Sequence, residues 1–312
     1  MTAAARRCLL VILAVAAASI AAAQPVYWCP MHPDVRGKAG DTCPICRMAL
    51  VPAAASDYQA YRLEVEIVPA AIRPGHSAHV RFLVRDPRTA VIVRRFEPVH
   101  ERVFHLFIVS RDLEYFAHVH PVLHPDGALD VDIAVPRAGA YQLIADFVPS
   151  GGGPQLIQKS FVTAGYDGPV AAVPQLAPDV TDKIAGGSRV ALTMPPPIAG
   201  REGLITFDLS DQTTGRAVDD LEPYLAATGH LLIASADLEI AAHSHPVAAI
   251  SSASGPTIVF QTLFPRAGVY RMWMQFQRRG EVCTVPFTVT VAAAELPRRG
   301  EHRPAAAVPP RS

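Results

Sequence analysis

Hydrophobic and polar positions alternate with a period of two through much of the chain. Leu63, Val65 and Ile67 interleave with charged residues, and Val80, Phe82 and Val84 repeat the pattern. A period of two sends successive side chains to opposite faces of an extended backbone, so these runs predict half-buried strands. Other apolar runs predict strands at His105–Ser110, Val131–Val135, Tyr141–Val148 and Leu156–Val162. A second series follows at Val190–Met194, Leu204–Leu209, His230–Ala234, Ile258–Phe264, Val269–Gln277 and Val282–Val291. No run of helical periodicity stands among them. The 29 prolines sit mostly between apolar runs, which suits short strands joined by turns.

The two series are copies of one another. Phe96-Glu97-Pro98, His105, Asp112-Leu113-Glu114 and His118-Val119-His120-Pro121 recur as Leu221-Glu222-Pro223, His230, Asp237-Leu238-Glu239 and His243-Ser244-His245-Pro246. All lie at an offset of 125. Arg137-Ala138-Gly139-Ala140-Tyr141 and Phe147 recur as Arg266-Ala267-Gly268-Val269-Tyr270 and Phe276, at an offset of 129. A duplication with a four-residue insertion accounts for both offsets. Each copy has strands enough for a two-sheet sandwich. The expected fold is all-β: two tandem immunoglobulin-like or cupredoxin-like sandwiches behind a small metal-knuckle domain.

Composition adds the ends and the compartment. Half the residues are hydrophobic and 18% are charged, which is ample for packed cores. Charge balances at 28 Lys+Arg against 28 Asp+Glu, so the basic excess of a nucleic-acid binder is missing. Arg6-Arg7, the apolar run Cys8–Ile20 and Ala21-Ala22-Ala23 have the grammar of a secretory signal peptide. The run is short for a transmembrane anchor, which takes about 20 apolar residues. The expected layout is a signal at 1–23, a cysteine segment at 24–54 and a first repeat at 58–165. A linker at 166–186, a second repeat at 187–292 and a disordered tail at 293–312 complete it. A periplasmic or secreted protein without a membrane anchor is expected.

The cysteine segment carries the sharpest chemistry. Cys29-Pro30-Met31-His32 and Cys43-Pro44-Ile45-Cys46 are two ligand pairs with x2 spacing. Such pairs close tight turns that aim both side chains at one tetrahedral ion. Thiolate and imidazole suit zinc or cuprous copper, and Met31 and Met48 add thioether sulfur that favours copper or silver. About 30 residues with little apolar material need a metal or a disulfide to fold. A Cys29–Cys43 disulfide, or a zinc ion with a purely structural role, are the alternatives.

The same residues, from Tyr27 to Pro52, resemble the heavy-metal-binding domain with the pattern CPMHP…CPxCGMxL. That family stands at the front of periplasmic adaptors of copper/silver efflux pumps and of some copper-transporting ATPases. The resemblance implies soft-metal binding by Cys29, Cys43 and Cys46, with His32 as fourth ligand. Arg47 replaces the family's Gly and places a charge beside the site.

Each repeat adds a histidine set. Residues i and i+2 of a strand share a face, so His118 with His120, and His243 with His245, converge. His105 and His230 begin neighbouring strands and supply a third nitrogen to each, giving two three-imidazole sets suited to copper or zinc. His100 extends the first set alone, since its counterpart is Leu225, and His124 has no counterpart. The competing reading has these histidines bonded to backbone carbonyls or to the Asp-Leu-Glu carboxylates. Met272 and Met274 share a strand face and are read as core, and Cys283 as a buried thiol. The repeats also resemble a family of exported bacterial proteins with HLxxxSxDLxxFxHxHP and RAGxY blocks. The first copy fits throughout, and the second has Ala241 in place of the Phe.

The leading functional expectation is an exported copper, silver or zinc protein that buffers the ion or passes it to an efflux or loading partner, without catalysis. Two alternatives stand beside it. One is an envelope interaction module in which the metal is structural, and the other is a metalloenzyme using a three-histidine site.

Overall fold

Why the strand pattern varies along the chain becomes clear from where each strand lies. The computed structural model describes residues 27–29, 32–38, 40–42, 50–52, 60–179, 181–252 and 255–294. The expected signal peptide and nearly all of the tail lie outside these. Every regular element among the described residues is a strand. β1 (Tyr27–Cys29), β2 (His32–Gly37) and β3 (Val51–Pro52) form a small sheet in the order β2-β1-β3.

The first repeat runs β4 (Arg62–Val68), β5 (Ala78–Arg85), β6 (Phe96–Glu97), β7 (Phe104–Ser110), β8 (Phe116–Val119), β9 (Val122–Leu123), β10 (Leu129–Ile133), β11 (Ala140–Pro149) and β12 (Gln155–Val162). One sheet has the order β4-β5-β10-β9, the other β12-β11-β7-β8, with β6 beside β11. All these pairings are antiparallel. This is the A-B-E-D and G-F-C-C′ order of an immunoglobulin-type sandwich.

The second repeat runs β13 (Lys183–Ala185), β14 (Ser188–Thr193), β15 (Glu202–Asp211), β16 (Leu221–Glu222), β17 (His230–Ser235), β18 (Ala241–Ser244), β19 (Pro246–Ser252), β20 (Gly255–Leu263), β21 (Gly268–Arg278) and β22 (Glu281–Val291). Its sheets are β13-β14-β15-β20-β19 and β16-β21-β17-β18, with β22 on β21. β13 lies inside the stretch read as linker and adds an edge strand to the first of them. The linker itself carries Leu176 onto the contact between the repeats.

Each sandwich has its own core. Phe82, Phe104, Leu106, Ile108 and Phe147 lie in the first, and Phe207, Phe260, Met272, Met274 and Phe287 in the second. Met272 and Met274 are therefore core filling. A third apolar cluster joins the repeats: Phe107, Val109, Leu113 and Ile144 from one side, and Leu232, Ala234, Ala236, Leu238 and Trp273 from the other. Phe116 stacks on Trp273 across it, with ring centroids 5.3 Å apart. Period-two geometry explains the arrangement. On β7, Phe104, Leu106 and Ile108 face the home core, while Phe107 and Val109 face the other repeat. All of β7 and all of β17 are buried for that reason.

Candidate metal centre

Alternation along β7 and β17 also places the histidines. His105 stands on the same face as Phe107 and Val109, and His230 on that of Leu232 and Ala234. His118 is the register partner of Phe107, and His243 that of Leu232. Both sets therefore point into the contact between the repeats. The sets expected to form one site in each sandwich form one cluster instead, because the sheets that bear them pack face to face. The ring centroids of His105 and His243 are 5.1 Å apart, and those of His118 and His230 are 5.7 Å apart.

Two groups of three rings each bring one nitrogen apiece within 4.8 Å of one another: His105, His118 and His243, and His230, His243 and His245. His243 belongs to both. His120 Nε2 lies 3.2 Å from His118 Nε2. His100, expected beside the first set, stacks on His245 of the second repeat at 3.7 Å.

The outer nitrogens fix the tautomers. His105 Nε2 donates to the Val99 carbonyl (2.9 Å), and His230 Nε2 to the Tyr224 carbonyl (2.9 Å). His118 Nδ1 donates to Gln275 Oε1 (2.8 Å), and His243 Nδ1 to Asp146 Oδ2 (2.7 Å). Gln275 Nε2 is occupied with Thr284 Oγ1 (3.0 Å), which leaves its oxygen for the ring. Carbonyl and carboxylate oxygens only accept, so the four outer nitrogens carry the protons. The four inner nitrogens are then acceptors. They face one another at 3.0 Å for His105 Nδ1 and His118 Nε2, and at 3.3 Å for His230 Nδ1 and His243 Nε2.

The backbone that presents these carbonyls is strained in both copies. Val99 pairs with Arg102, and Tyr224 with Ala227, across two-residue turns. Both central residues of each turn have positive φ: His100 45° and Glu101 66°, Leu225 52° and Ala226 56°. Such turns favour Asn-Gly, and a non-glycine residue in this region costs about 1–2 kcal/mol. Strain of this kind collects at functional sites.

Burial and mutual repulsion keep the rings neutral. Loss of solvation is the largest cause for each, and it holds His118, His230, His243 and His245 well below the ordinary histidine range. It takes His120 down to about 3 and also lowers His105. Burial pushes Asp146 up to about 6, against the pull of His105 and His100. Both ring nitrogens of His245 are buried without a hydrogen-bond partner. Neutral imidazole is the form that ligates a metal.

The remaining candidates lie elsewhere. His124 pairs with Asp130 (3.3 Å) in the first sandwich, apart from the cluster. The Asp-Leu-Glu carboxylates do not partner the histidines. Asp112 accepts from Ser110 and Arg137, and Asp237 from Ser235 and Arg266. Cys283 is buried and free, with burial raising its thiol pKa. Cys29 and His32 are register partners where β1 meets β2, while Cys43 and Cys46 lie outside the described residues. No motif in the sequence marks Asp146 or Gln275, although the offset of 129 that aligns Phe147 with Phe276 aligns them too.

The family model of the heavy metal binding domain matches residues 26–53. A second family model, described as a domain of unknown function (DUF8832), matches twice, over residues 56–164 and 182–293. The two matches follow the duplication. No curated protein matches the chain. Among solved structures, the Escherichia coli adhesin FdeC is similar at 11% identity and a TM-score of 0.25, covering 79% of this chain and 68% of that one. The fibronectin(III)-like modules of Clostridium thermocellum CbhA are similar at 14% identity and a TM-score of 0.21, covering 77% of this chain and all of theirs.

Proposed function

We propose that this chain, which belongs to the family described as a domain of unknown function (DUF8832), is an exported copper protein that buffers its cargo or hands it to an efflux or loading partner. Silver and zinc are the alternative cargoes. The heavy-metal-binding domain at its front makes metal binding part of what it does. For the sandwiches, one observation carries the reading. Acceptor nitrogens of neutral imidazoles face one another at 3.0–3.3 Å with their outer protons already committed. Facing lone pairs repel, and a cation between them turns that repulsion into coordination.

The outer partners support the same reading, because a metal-binding histidine nearly always donates its second nitrogen to a carbonyl or carboxylate. Imidazole sets suit copper or zinc rather than calcium or magnesium. The segment around Arg6-Arg7 and Ala21–Ala23 supports export. Among the described residues no helix is long and apolar enough to cross a membrane. The proposed role needs no chemical step.

Metal content by mass spectrometry tests this on three purified full-length proteins: the parent, Cys43→Ser/Cys46→Ser, and His118→Ala/His243→Ala. Each variant is expected to keep part of the parent's metal. A His118→Ala/His243→Ala protein with the parent's full metal content would remove the sandwiches from the metal role. Full content in the cysteine variant would remove the front segment.

A further inference from the structure

The duplication makes the two halves of the histidine centre alike in their strands, turns and carbonyl partners. Beyond His100, whose counterpart is Leu225, it leaves them unlike in the outer partner of the middle ring. Asp146 stands behind His243, and its counterpart Gln275 stands behind His118. Each comes from the opposite repeat. A charged acceptor draws the N–H of an imidazole more strongly than a neutral amide does, which makes the far nitrogen the better donor to a metal. His243 is thereby the stronger ligand of the pair. Its side chain is fully buried, and its Nδ1–H donates to the Asp146 carboxylate at 2.7 Å.

His243 is also the member common to both groups of three. Its Nδ1 is committed to Asp146, so only Nε2 is open to a metal. One lone pair serves one ion. The group with His105 and His118 and the group with His230 and His245 therefore cannot both be filled through His243 at once.

Resting on the metal-binding reading above, we propose that the centre takes a single ion anchored on His243 Nε2, with Asp146 as the positioning residue that makes His243 the anchor. The two groups are then alternative seats, one lined by each repeat, around a shared ligand. An ion can pass from one seat to the other without leaving His243. A cargo that must be both held and released can so exchange ligands within the protein.

The test uses full-length Cys43→Ser/Cys46→Ser protein, which lacks two of the four ligands of the front segment, with cupric and zinc ions added to the metal-free form. Native mass spectrometry is expected to give one ion per chain. Competition against a chelator is expected to show His243→Ala losing more than 100-fold in affinity. His105→Ala and His245→Ala, which each leave one seat whole, are expected to lose about 10-fold or less. Asp146→Asn is expected to lose about 10- to 100-fold, the range for an outer partner of a ligand. The exchange Asp146→Gln/Gln275→Asp carries a readout that a merely structural role would not move. It is expected to enlarge the loss on His118→Ala and to shrink the loss on His243→Ala.

Circular dichroism of each metal-free variant separates misfolding from lost ligation. Two ions per chain, or a folded His243→Ala protein with the parent's affinity, would overturn the single-anchor proposal while leaving metal binding intact. An absence of any bound ion in the cysteine variant would instead overturn the reading beneath it.

Discussion

Lowering the pH of the metal-free protein should weaken it steeply just below pH 6.5. In the folded state His118, His230, His243 and His245 are held neutral, with burial as the largest cause. The unfolded chain takes up protons with an ordinary histidine pKa near 6.5. A depressed folded pKa means that protonation favours the unfolded state. Stability is therefore complete above pH 6.5 and falls as the pH drops towards the folded values. By the linkage relation, each such ring removes about 1 kcal/mol between pH 6.5 and 5.5, the four together about 4 kcal/mol, and His120, with a folded pKa of about 3 but a more exposed ring, adds up to about 1 kcal/mol.

Asp146 runs the other way. Its folded pKa of about 6 lies above its unfolded value, so it takes up a proton on folding in this window. It returns less than about 1 kcal/mol over the interval. The net loss of about 3–4 kcal/mol is large against the 5–15 kcal/mol typical of domains. The assay is urea unfolding of chelator-treated protein at pH 7.5, 6.5 and 5.5, followed by far-ultraviolet circular dichroism. His243→Gln/His245→Gln, which removes two of the four rings, should lose about half as much stability over the same interval. A stability unchanged from pH 7.5 to 5.5, or an identical slope in the double variant, would refute the claim that these rings are buried neutral together.

Trp273→Ala empties the centre of the contact between the repeats and should cost about 3 kcal/mol, read by urea unfolding at pH 7.5. Arg278→Met should lower stability in the same assay, since it removes the donor to the Gly187 carbonyl and the buried Ser188 hydroxyl as well as the partner of Asp211 and Asp220. Glu101→Gly relaxes a positive φ and should raise stability by up to about 1 kcal/mol, which thermal unfolding at matched pH will report. Cys283 should resist an aqueous thiol reagent in the native protein and react on addition of denaturant, and fast native reaction would contradict its burial.

The parts of the fold that were legible in the sequence are those with a single environment on each face. Val80, Phe82 and Val84 meet a core on one side and solvent on the other, so period two stands out. The run His105–Ser110 has no such contrast, because β7 is covered on both faces. A strand between two apolar layers reads as a plain hydrophobic run, and nothing in the run says that the second layer is another copy of the same domain. The two-residue strands β6 and β9 offer no alternation to register.

The same blindness governed the histidines. Spacing put His118 with His120, and His243 with His245, on shared faces, because that is local geometry. It assigned them to separate sites, because local geometry does not say which face meets which. The missing information lies in Phe107, Val109, Leu232 and Ala234, which share strand faces with His105 and His230 and cannot be left to water. Once the apolar part of each face must find a partner, the matching face of the other copy is the nearest complementary surface. Apolar residues then meet apolar residues, and histidines meet histidines. The positions that follow, Asp146 and Gln275, become outer partners across the contact rather than within a copy. The duplication thus makes one centre from two incomplete halves. A single sandwich would carry three imidazoles of the set and lack the partner that fixes the middle one.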